Sequence, residues 1–219
     1  MPQELSTASS LRETDASSSS RRPTSMAELI IQDSPDQRIK RHQRIHDDFN
    51  LIVLPVISVL SAIFLLTGQC YTWFSLASYL YFLVDFVWIL LIPASVRTPT
   101  ALRIHHAVVL GLLSFPLFSP RYRWHFAADM IIEFNSWFII ARRRFPGTAT
   151  KLMFYASWIL IRLIWYPYLI VVFFRDTHAA GGSLLYLAPL FQTILSGMNY
   201  YWTLQLLCKP RQKALRKEE

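Results

Sequence analysis

A chain of 219 residues that is 53% hydrophobic and 15% aromatic only modestly exceeds the ~45–50% apolar content of soluble domains, so the distribution of those residues decides its class. The first 46 residues are polar and the apolar residues are concentrated in runs near the ~20 residues that a helix needs to cross a bilayer, without the charged faces of soluble amphipathic helices. The net charge of +8 sits at the ends of those runs, which fits anionic lipid and leaves no polar domain to bind nucleic acid.

Residues 1 to about 36 read as disordered, with a serine run at Ser17–Ser20 and no hydrophobic periodicity. Arg21-Arg22-Pro23-Thr24-Ser25 has the form of a basic-directed phosphorylation motif, although a solvated tail explains it more simply. Arg38 to Arg44, RIKRHQR, is a juxtamembrane cluster worth roughly 1 kcal/mol per basic residue at an anionic surface. No early apolar stretch resembles a cleavable signal, so the first span is expected to direct insertion. The organisation predicted is a Ser-rich tail with its basic segment over 1–46, a membrane domain over 47–207 and a basic tail over 208–219.

Six spans are predicted in the membrane domain. The first covers residues 49–67 and ends in a tight turn at Gly68; the second covers 71–92 and stops at Pro93. The third runs over 101–118 beside Pro116 and Pro120, and the fourth over 124–141, before Arg142-Arg143-Arg144. The fifth covers 152–174, and Gly181-Gly182 separates it from the sixth, 184–207. With an even count, both tails and the loops after spans two and four share one side, which holds nearly all the Lys and Arg. The positive-inside rule makes that side cytosolic. Cys70 and Cys208 then fall on opposite faces and are expected to stay unpaired, and no metal-ligand spacing is present. The fold class expected is all-α, a polytopic bundle of about six transmembrane helices enclosing a polar-lined cavity.

Charged side chains inside a bilayer cost roughly 2.5–3.5 kcal/mol each and normally face the bundle interior. Here they are Asp85, His105, His106, Asp129, Glu133 and Arg162, with Asn199 and Gln192 as neutral companions. At a rise of ~1.5 Å per residue, Asp85, Glu133, Asn199 and Arg162 all lie roughly 11 Å or slightly more inside one face. Asp129 and Glu133, four apart, share a helix face, and Arg162 and the histidines are the cations within reach. Adjacent helix positions differ by ~100°, so one histidine is expected to face the cavity and the other a neighbouring helix.

Simpler readings exist. Asp85–Arg162 or Glu133–Arg162 would serve as structural ion pairs, and Asp129 would snorkel toward Arg123. His178 reads as interfacial, as does His125 except that it shares a face with Asp129. Trp73, Trp124, Trp165, Tyr166 and Trp202 read as belts and packing, and Arg143 and Arg144 as topogenic.

Five segments carry these polar positions in order: YFLVDF around Asp85, RIHHAVV around His105 and His106, EFNSWFIIAR from Glu133, LIRLIWYPY around Arg162 and MNYYWTLQLL around Asn199. Together, over about 130 residues, they resemble the TLC family of translocation-associated membrane proteins, ceramide synthases and the ceroid-lipofuscinosis protein of the endoplasmic reticulum. The resemblance implies a bundle of six or seven helices around a lipid-chain cavity. In the ceramide synthase branch it also implies acyl transfer from acyl-CoA, as substrate rather than cofactor. His105 or His106 would then act as base or acyl acceptor and Glu133 would orient it. His125, Asp129 and Glu133 fall in the synthase frame, but Phe126 and Ser136 replace its first Asp and its Lys. EFNSW is also similar to the Glu-x-Ser-Thr-Pro form of smaller TLC-domain proteins, with Asn135, Ser136 and Trp137 in the last three places. These departures favour the smaller branch.

The favoured function is therefore binding or sensing of an acyl lipid or fatty-acyl chain, in support of membrane lipid homeostasis. The alternatives are a ceramide-synthase-like N-acyltransferase and a trafficking receptor or chaperone for protein cargo. The endoplasmic reticulum is the expected membrane. The terminal Arg216-Lys217-Glu218-Glu219 resembles a dilysine-type retrieval signal, against the simpler reading of a charged tail.

Overall fold

Every described element is helical in the computed structural model, which describes residues 34–181 and 183–218, the side chains of 183, 184 and 209–218 excepted. The serine run, the Arg21–Ser25 motif and the side chains of the terminal Arg216–Glu219 motif lie outside the described residues.

Helix α1, Pro35–Thr67, begins well before the predicted span. Ser34 and Gln37 form a reciprocal capping box with Pro35 at the first helical position, satisfying amides that a helix start leaves free. The basic cluster of 38–44 is thus helical and continuous with the first span. Thr67 is followed by Gly68 at φ 73°, the left-handed conformation that glycine adopts without Cβ strain. Helix α2, Tyr71–Leu91, then turns back along α1, and a short 3₁₀ segment at Pro93–Ser95 leads to α3, Pro99–Phe118.

The fourth span is two helices, α4 (Arg123–Met130) and α5 (Ile132–Arg144). A break at Ile131 deprives the last carbonyls of α4 of helical partners, and neighbouring helices supply them. Ser61 Oγ donates to the Ala127 carbonyl at 2.7 Å, Trp165 Nε1 to Ala128 at 2.8 Å and the Tyr166 hydroxyl to Asp129 at 3.2 Å. Such rescue by packed neighbours is what permits irregular backbone at membrane depth.

The fifth span runs unbroken from Thr148 to Ala180 as α6 (Thr148–Ser157), a π-helical stretch (Trp158–Trp165) and α7 (Tyr166–Ala180). The wide turn ends just before Pro167, whose nitrogen cannot donate to the carbonyl four residues back and whose ring would clash with it in a regular α-helix. The last helix, α8, is Leu187–Glu218. It packs against α3 where Gly111 faces Phe191. A Cβ at position 111 would sit 2.8 Å from the ring, so the small residue permits the close approach.

Among the described residues, four helical stretches are long and apolar enough to cross a membrane: α1, α2, α3 and the fifth span. The other two expected spans are the broken α4–α5 pair and α8, which carries Gln192, Asn199 and Gln205. All six pack into one bundle. Large apolar side chains such as Leu66, Leu91, Phe118 and Trp73 point outward, while Asp85, Asp129, Glu133, Arg162 and Asn199 are buried. Apolar outside and polar within, this is an integral membrane protein with an all-α bundle.

Candidate functional site

The end of the bundle that carries Arg97 and Arg142–Arg144 opens into a cavity of about 510 Å³, within the ~300–1,000 Å³ typical of small-molecule pockets. Arg97, Arg142 and Arg143 line its mouth; His46, Asp85, His105, His106, Glu133 and Arg162 line its polar depth; Leu54, Phe82, Phe154, Trp158 and Trp202 supply apolar wall. Five of the seven sequence-selected residues therefore share one chamber. Asp129 and Asn199 are buried behind it.

The chamber has two polar anchors. The first is Asp85, on the inward face of α2. Its two oxygens meet His46 Nε2 at 2.6 Å and His106 Nε2 at 2.5 Å. One carboxylate between two imidazoles fixes both rings, each Nε2–H donating to its own oxygen in a charge-assisted arrangement stronger than a neutral hydrogen bond. His46 reaches this point only because α1 is helical through residue 46. One turn on, Asn50 donates to the His46 carbonyl at 2.9 Å and accepts from the Tyr81 hydroxyl at 2.8 Å. Sequence reasoning missed His46, Asn50 and Tyr81. The available signal was the polar i, i+4 pair His46 and Asn50 ahead of an apolar run, together with the Ser34–Gln37 helix start.

The second anchor is Arg162, in the middle of the π-helical stretch. It donates from Nε to Asn135 at 2.5 Å, from Nη1 to Asn199 at 2.7 Å and from Nη2 to Ser136 at 2.9 Å. Its guanidinium also lies 4.8 Å from the Trp158 ring and 5.9 Å from that of Trp202, within cation–π reach. Asn135 is held in turn by donating to Ser157 Oγ at 2.8 Å and to the Phe154 carbonyl at 3.2 Å. Asn135 and Ser136 of the EFNSW segment thus grip an arginine, a role not visible from their positions alone.

Several expectations are corrected by this geometry. Among the described residues, neither Asp85–Arg162 nor Glu133–Arg162 forms an ion pair: Asp85 is taken by two histidines, and Arg162 by three neutral acceptors. The orienting partner of His106 is Asp85 on α2, not Glu133 on α5. Both adjacent histidines line the chamber. His106 bonds the neighbouring helix, while His105 lies 5.5 Å from the Trp202 ring with Nδ1 unpartnered. Glu133 lines the cavity without an ion-pair partner among the described residues. Asp129 does not snorkel: it is fully buried, and Arg123 lies over the Tyr71 ring instead.

Other side chains have structural partners. His125 is buried and pairs with Asp176 at 2.9 Å, and exposed His178 contacts the Tyr186 hydroxyl at 3.1 Å. Arg143 and Arg144 pair with Asp47 and Asp48 of α1. Trp202, expected as packing, also lines the chamber. Cys70 and Cys208 are both free and exposed, and no metal-binding cluster occurs among the described residues.

Comparison with known proteins agrees with this architecture. The family model of the TLC domain matches residues 51–208. Ceramide synthase LOH2 of Arabidopsis thaliana is 27% identical over 115 residues, covering 45% of this chain and 38% of that protein. The chain thus matches well under half the length of that relative. No solved structure matches it. A match across nearly all of the membrane bundle places the chain in the TLC-domain family.

Proposed function

We propose that the protein binds an acyl lipid in the arginine-mouthed cavity and through that binding contributes to membrane lipid homeostasis. The observation that carries this reading is the combination of surfaces in one chamber: an apolar and aromatic wall, a polar depth, and cationic side chains at the entrance. The wall suits a hydrocarbon chain. His105, Glu133 and Arg162 offer donors and acceptors for a lipid's polar end, and Arg97, Arg142 and Arg143 suit an anionic group at the mouth. Membership of the TLC family and the likeness to a ceramide synthase support a lipid ligand. The reading places the arginine-rich end and both termini in the cytosol, by the positive-inside rule, and the protein in the endoplasmic reticulum.

A second reading, N-acyl transfer from acyl-CoA, is favoured by one specific feature, the His106–Asp85 hydrogen bond inside the cavity. A histidine oriented by a carboxylate is the base–orienter pair of acyl-transfer sites. In that reaction an amine attacks the thioester carbon, the imidazole takes the amine proton, and the thiolate of CoA leaves.

One experiment separates the two. Purified protein in lipid nanodiscs is given long-chain acyl-CoA with a panel of sphingoid and lysolipid acceptors, alongside a His105→Ala/His106→Ala variant. Acyl-lipid binding without product, weakened severalfold in the variant, is the expected result. Product formed by the wild type and lost in the variant establishes acyl transfer, and neither binding nor turnover contradicts both readings.

A further inference from the structure

Behind the cavity, three helical segments each present polar side chains about one turn apart. Asp129 and Glu133 flank the Ile131 break; Arg162 and Tyr166 flank the end of the π-helical stretch; Gln192, Ser196 and Asn199 follow one face of α8. They form two storeys. In the first, Glu133 and Arg162 line the cavity and Arg162 donates to Asn199. The second is closed: Asp129, Tyr166 and Gln192 are fully buried and line no part of the cavity.

The closed storey is short of partners. Asp129 Oδ1 and Oδ2, Gln192 Oε1, Ser196 Oγ and Asn199 Nδ2 are all buried without a well-formed hydrogen bond, and the Tyr166 hydroxyl and Gln192 amide beside the Asp129 carboxyl spend their good geometry on backbone carbonyls. The backbone around them is satisfied, since the Tyr166 hydroxyl donates to the Asp129 carbonyl and Gln192 Nε2 to the Tyr166 carbonyl at 3.2 Å. Among the described residues, no cationic side chain pairs with Asp129. Tyr166 of α7 and Gln192 of α8 face its carboxyl, and Glu133, one turn on, adds a like charge. From α1 the contact is Ser61, already spent on the Ala127 carbonyl. His125, one turn back, is paired with Asp176, and Arg162 is held in the first storey.

Each unsatisfied buried polar group is unfavourable, and a bare carboxylate more so. Two things relieve both costs together: ordered water in a polar recess and a proton on the carboxyl. We propose that the second storey is a hydrated annex in which Asp129 stores a proton that exchanges with Glu133 of the cavity along a short water file past Ser196 and Asn199. The transfer balances simply. The O–H bond at Asp129 breaks, one forms at Glu133, and the reverse transfer restores the pair. This inference does not depend on what the cavity binds.

Infrared spectroscopy of the full chain in nanodiscs at neutral pH tests it. A carbonyl stretch of a protonated carboxylic acid is expected, shifting in D₂O, absent in Asp129→Asn and retained in Glu133→Gln. The D₂O shift is expected to be at least severalfold slower in Ser196→Ala. Absence of the band, or its survival in Asp129→Asn, overturns the stored proton. A band that never shifts in D₂O, or shifts equally fast in Ser196→Ala, overturns the water file. Should Asp129→Asn not fold, Asp129→Glu decides instead: a displaced band supports the assignment, and an unmoved one overturns it.

Discussion

Arg162 shows how an intramembrane charge is held mainly by neutral hydrogen-bond acceptors. Its three donors are shared among Asn135, Asn199 and Ser136 on two other helices, and aromatic rings flank the guanidinium. A lysine ammonium is a compact point charge that cannot span three diverging acceptors. Hydrogen bonds to charged groups contribute about 1.5–3 kcal/mol each, so Arg162→Lys is expected to destabilise the bundle by about 2–3 kcal/mol, read as a lowered unfolding midpoint in detergent. An unchanged midpoint would show that the fork does not hold the helices. At this scale the sequence identified which side chains are buried, because a charge in an apolar run has nowhere else to go. It did not identify their partners. Pairing depends on the rotation of each helix about its axis, so Asp85 met His46 and His106 rather than Arg162.

Helix α1 carries the largest difference between expectation and structure. Hydropathy begins at Phe49, but the backbone turns helical at Pro35, because a capped start and good local helix formers need no apolar side chains. That extension delivers His46 to Asp85. Ser34→Ala removes the capping acceptor, which is typically worth about 1 kcal/mol. Faster hydrogen exchange is therefore expected at the amides of residues 36–40, with exchange beyond Asn50 unchanged. Equal exchange at 36–40 would mean that the tail holds the extension in some other way. The Ile131 break and the wide turn before Pro167 were similarly invisible to hydropathy. Both re-aim polar side chains: the break separates Asp129 from Glu133, and the wide turn ends between Arg162 and Tyr166.

The whole molecule inverts the polarity of a soluble fold. The positions of the spans and the single polar level could be read from the sequence, since both follow from apolar run length and helix rise. The division of the polar residues between an open cavity and a closed annex could not, because it is set by how six helices pack. Exposed pairs such as Arg143–Asp47 join α1 to α5 at the rim, but exposed pairs contribute only about 0–1 kcal/mol, so buried packing and the polar anchors hold the cavity open. The proposed function requires an acyl chain to occupy this cavity. Photo-crosslinking with a diazirine-bearing fatty acid, mapped by peptide mass spectrometry, tests it most directly. Labels on Phe154, Trp158 and Trp202 are expected, and labelling confined to outward-facing residues such as Leu66, Trp73 and Leu91 would rule out an acyl chain in the cavity.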